Sequence, residues 1–176
     1  MCNRTGCEHD EGVIGSRSKL KEAVLHDKVL VGAMAGVLAA AVRELTELGF
    51  YVLGILGRRC TQLAASMFVT PATAESGGLA LVIGFLADAT ISGTAGVLFV
   101  YFICLTGRRL TVLKGLLLGP FYWVSVFGAL KSWHLCKLSV DQPLQVLLFF
   151  LTHLIWGLTI GWFVNKYGRK ALAGIP

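Results

Sequence analysis

Residues Val29 to Gly57, VLVGAMAGVLAAAVRELTELGFYVLGILG, are apolar over a length that suits a bilayer, yet Arg43, Glu44 and Glu47 stand in their middle. The 14 residues from Val29 to Val42 alone would reach only about 21 Å as a helix, short of a hydrocarbon core of roughly 30 Å. Either the RELTE segment is immersed, or it ends a short helix and begins an interfacial one. On the insertion scale the 13 Leu, Ile, Val and Phe side chains of this stretch contribute roughly −6 kcal/mol, and three central charges cost roughly +8 kcal/mol. Alone, such a helix is marginal in lipid, so its charges need protein partners.

The spacing supplies a reason to expect them. Arg43 and Glu47 are four apart and neighbours on one helix face, where they can pair. Gly32, Gly36, Ala40 and Glu44 also recur every four residues, so the charges share a side with a GxxxG stripe, which permits close helix approach.

Three further apolar spans follow, at about 79–105, 112–130 and 143–164, each with the same device. The second repeats Gly84, Asp88, Ser92 and Gly96. The third holds Gly115 and Gly119, with Pro120 bending the helix, and Tyr122 and Trp123 beyond it. The fourth places His153, Gly157 and Gly161 four apart. These spacings predict an all-α, polytopic membrane protein: an antiparallel bundle of four transmembrane helices at 29–165, between a polar tail at 1–28 and a short basic terminus at 166–176. The stretch from Arg58 to Gly78 reads as an interfacial helix through Leu63, Ala64, Met67 and Phe68, stopped by Pro71.

Charge orients the bundle. Of the 16 Lys and Arg residues, 11 flank one side (the N-terminal segment, the loop with Arg108, Arg109 and Lys114, and the C-terminus), and only Arg58, Arg59, Lys131 and Lys137 fall on the other. This places both termini in the cytoplasm. The net charge of +6 is accounted for by orientation and anionic headgroups, so nucleic acid is not an expected partner; the lipid bilayer is.

The embedded polar residues fall at one level. Counted from the outer helix ends at Gly57, Leu79 and Pro143, Glu47, Asp88 and His153 all lie about 14–15 Å deep, near the midplane, with Arg43 about a turn deeper. Arg43, Glu44, Glu47, Asp88 and His153 together suit two uses. The expected one is interhelical glue in a non-enzymatic protein that assembles with itself or another membrane protein. The other is a proton or ion pathway. An enzyme is a third reading with little behind it: His134 and Cys136 stand two apart without an orienting partner, and no Walker loop, HExxH, GxSxG or CxxC is present. No cofactor is expected. Cys2, Cys7 and His9 form C-x4-C-x-H, a weak metal-ligand set, since a closed zinc site needs four ligands; the alternative is a tail with two reduced thiols. Cys60 and Cys136 fall together on the outer side, where a disulfide could persist.

The charged first span, the short basic loop before KGLLLGPFYW and the last span FLTHLIWGLTIGWFV resemble the small four-helix bacterial membrane proteins of the YqhR and YagU kind, over roughly residues 28 to 166. K-G-L-L-x-G and H-L-x-W are the best matching segments. The resemblance implies a bacterial inner-membrane location and carries no molecular activity.

Overall fold

The computed structural model describes residues 27–138 and 140–173. Cys2, Cys7 and His9, with all the rest of residues 1–26, lie outside the described residues. Every regular element among those described is helical.

Helix α1, Lys28–Val52, begins where Asp27 Oδ1 accepts from the Val29 and Leu30 amides at 2.7 and 3.0 Å, satisfying two donors the helix itself leaves open. It ends five residues before Gly57. Gly54 takes φ +72°, and the Ile55 and Leu56 amides turn back to the Phe50 carbonyl, which buries the Leu56 side chain. The 25 residues still span about 37 Å, so RELTE is inside the helix.

Beyond this turn the chain forms α2, Cys60–Ala65, and α3, Pro71–Glu75. The expected stop at Pro71 is instead a start: Thr70 caps, and proline occupies the first turn, where its missing N–H has no partner to lose. Met67 and Phe68 belong to the turn between these helices. Then follow α4, Leu79–Thr106, and, after a left-handed Leu110, α5, Thr111–Tyr122. A π-helical turn, Trp123–Phe127, continues α5 into α6, Gly128–Ser132. The change of register begins three residues after Pro120, which withdraws one amide from the preceding helical ladder. The last helix, α7, is Pro143–Tyr167.

Three of these helices, α1, α4 and α7, are long and apolar enough to cross a membrane, which supports a membrane protein. Their small residues set how they pack. α1 lies between α4 and α7, and α5 lies along α7. A Cβ on Gly32 would come within 2.5 Å of the Val97 Cα, and one on Gly36 or Gly96 would strike the backbone of the facing helix. Gly115 and Gly119 on α5 meet Gly161, Gly157 and the His153 carbonyl on α7 in the same way. Gly84 has a different partner. It makes room for the Thr61 carbonyl, so α2 folds back against α4 instead of lying apart from it.

Two apolar clusters fill the interior. One joins Val31, Phe99, Val100, Trp156 and Ile160 with Leu172 of the C-terminal turn. The other joins Leu56, Leu63, Ala74, Leu138 and Phe149 under the α2–α3 segment. Between them lies a polar layer.

Candidate functional site

Arg43 is the centre of that layer, 1% exposed on the inner face of α1. Its Nη2 donates to Asp88 Oδ2 on α4 at 2.5 Å, and its Nη1 to His153 Nε2 on α7 at 3.4 Å. Its Nε lies 3.4 Å from Glu47 Oε1, one turn along α1; the pair attract, but Nε is not aligned to donate a hydrogen bond. One guanidinium therefore ties three helices together, its planar fork reaching two partners at once.

The His153 tautomer follows from its neighbours. Nδ1 lies 2.7 Å from the Phe149 carbonyl, which can only accept, so Nδ1 carries the proton. Nε2 faces a guanidinium, which can only donate, so it is a lone pair. The imidazole is neutral in this arrangement.

Glu47 is fully buried and held by other donors. The Cys60 amide, at the start of α2, donates to Oε2 at 2.7 Å, and the Thr152 hydroxyl to Oε1 at 3.1 Å. A turn further along, Trp156 Nε1 donates to Ser92 Oγ at 3.2 Å, and Tyr122 packs on the Trp156 ring at a centroid distance of 4.6 Å.

The structure brings Arg43, Glu47, Asp88 and His153 together and leaves Glu44 out. Glu44 points to another face of α1, where Arg59 Nη1 donates to it at 2.7 Å while the same guanidinium lies over the Tyr51 ring. Depth also differs from the expected order. Because α1 stops at Val52, Arg43, Asp88 and His153 stand level, each about 14–15 Å from its helix end, and Glu47 sits about 6 Å nearer the α2 end.

The cluster is not sealed. Arg43, Asp88, Tyr122 and His153 line a cavity of about 250 Å³, closed over by α2 and by the loop that carries His134, Cys136 and Leu138. Of the two charged groups of the cluster that line this space, Asp88 is the more exposed, its side chain 12% against 2% for Arg43. Cys60 and Cys136 both line it as free thiols. A larger groove of about 810 Å³ runs between α4 and α5, lined by residues such as Thr94, Leu98, Phe102, Leu117 and Phe121. Tyr122 and Ile91 line both spaces and form the wall they share.

Three contributors escaped the sequence reading. The Cys60 amide was hidden because only tertiary folding returns α2 to α1. Thr152 and Tyr122 left a fainter trace: Thr152 adjoins His153, and Tyr122 lies one turn past Gly119 on the packed side of α5. No group of His, Cys, Asp and Glu among the described residues is arranged to hold a metal ion. No family model, curated protein or solved structure matches this chain.

Proposed function

We propose that this is a multi-pass integral membrane protein with four transmembrane segments in an antiparallel bundle, and that it acts as a non-enzymatic carrier or binder of a small solute at the Arg43–Asp88–His153 cluster. The fourth segment of this reading is the helical run from Thr111 to Ser132. Its 12, 5 and 5 residues continue without a break and extend about 33 Å, enough to cross. The distribution of Lys and Arg supports both termini on the cytoplasmic side. The resemblance noted above supports a bacterial inner membrane.

One observation carries the choice of a carrier. The Asp88 carboxylate opens onto a cavity instead of being closed between helices, as a pair serving only to join them would be. The neutral, hydrogen-bonded His153 is a poor proton relay as it stands, so Asp88 is the solute-facing group. A second reading, assembly with itself or another membrane protein, is favoured by the open side between α4 and α5, which barely touch.

Flux in proteoliposomes separates the two. Wild-type protein should move protons or a monovalent cation, and Asp88→Asn should not. A wild type silent towards a panel of cations and pH gradients, with a stoichiometric membrane partner on purification, would replace the first reading with the second.

A further inference from the structure

We infer that the cavity and the α4–α5 groove form one binding site for a single-tailed amphipathic organic cation. The inference rests on the carrier reading and names its solute class.

Charge selects the head. Among the groups of the cluster, Arg43 is paired to Asp88, and His153 is neutral by its hydrogen bonds. Glu44 is offset by Arg59. Glu47 is not part of the cavity wall, and of the paired Arg43 and Asp88 that are, the carboxylate of Asp88 is the more exposed, 12% against 2%. Tyr122 and Phe127 add aromatic rings to the same wall. An anionic head would meet Asp88 across a desolvated gap and be repelled.

Shape selects the tail. The groove extends along α4 from Thr90 to Phe102, about 18 Å. Thr90 and Thr94 turn their hydroxyls to the carbonyls of Leu86 and Thr90 on their own helix, which leaves methyl groups facing out. Leu98, Leu117 and Phe121 are 65%, 63% and 70% exposed along it, and its volume falls in the range of small-molecule sites. The head position lies about 14 Å along α4 from its Leu79 end, below the depth at which bulk lipid headgroups sit. A tail can enter sideways from the bilayer while the head reaches Asp88 past Tyr122.

The test uses the full chain in phosphatidylcholine nanodiscs, with intrinsic tryptophan fluorescence as readout, because Trp156 lies against Tyr122 where head and tail would join. Bromododecyltrimethylammonium should quench at a concentration about tenfold below that of bromododecanoate. Tetramethylammonium, a head without a tail, should compete only weakly. Thr94→Phe, which fills the groove without touching the cluster, should raise the cation concentration needed by about tenfold. Asp88→Asn should abolish the preference for cation over anion; if that variant does not fold, Thr94→Phe and the head-only competitor decide. Equal quenching by the two amphiphiles, or cation quenching unchanged in Thr94→Phe, overturns the site. Quenching as expected without flux in proteoliposomes supports the site and removes transport. Flux of small cations with equal quenching removes the site and leaves the carrier.

Discussion

Arg43 and Asp88 lie 45 residues apart in sequence and 2.5 Å apart in space, each on a helix whose backbone approaches the other through glycine. Close approach and charge pairing depend on each other here. Gly36 and Gly96 draw α1 and α4 together, and that short separation lets a guanidinium span the gap without leaving either charge uncompensated.

Removing one side of this pair should therefore do more harm than removing both. Arg43→Ala leaves Asp88 and Glu47 buried without their cation, a loss of about 3–5 kcal/mol where one partner of a buried pair is deleted. Adding Glu47→Gln and Asp88→Asn should restore part of it. Chemical unfolding in a mild non-ionic detergent checks the order: wild type, then the triple variant, then Arg43→Ala. Equal stability of Arg43→Ala and wild type would mean that the cluster does not hold the helices.

The glycine contacts make a paired prediction. Gly119→Ala would press a methyl against the His153 carbonyl, backbone that cannot yield as a side chain can, and should destabilise by about 1–3 kcal/mol. Gly49→Ala, also in a helix, meets nothing within 4 Å and should be neutral or gain about 0.5–1 kcal/mol. Thermal melts of the two variants side by side would test this, and similar losses in both would refute the packing account.

Burial pushes the thiols of Cys60 and Cys136 up, and Glu47 beside Cys60 pushes in the same direction. Since both folded thiols titrate above the unfolded thiol, their linkage leaves stability intact below about pH 8.5 and erodes it as the pH rises past that value. At pH 8 in detergent, Cys136, which is partly exposed, should be alkylated well before Cys60, which is buried. Mass spectrometry of timed reactions checks the sequence of labelling. Full labelling of both under denaturing conditions without reductant is expected, because the two are free thiols.

Reporter fusions test orientation. Fusions after Lys28, Arg109 and Lys170 should all report cytoplasm, as the eleven-to-four distribution of basic residues requires. A fusion at Arg109 reporting the opposite side would remove the four-segment topology.

The residues by themselves determined the helical class, the apolar stretches and the need for Arg43 to find partners, because these follow from local composition, helical periodicity and the cost of charge in hydrocarbon. The four-residue glycine spacing also named the faces that meet, since close approach leaves a mark every turn. Tertiary structure alone decided which charges share the site. Glu44 and Glu47 look alike in RELTE, yet rotation about the helix sends one to Arg59 and the other to the interior. The register of the layer depended on where α1 ends, which a glycine turn and the burial of Leu56 fixed five residues earlier than apolar content suggested. The cavity itself has no sequence signature. It exists because α2 returns against Gly84 and α5 leans on α7 instead of α4, and such vacancies arise from how distant surfaces fit, not from any one segment.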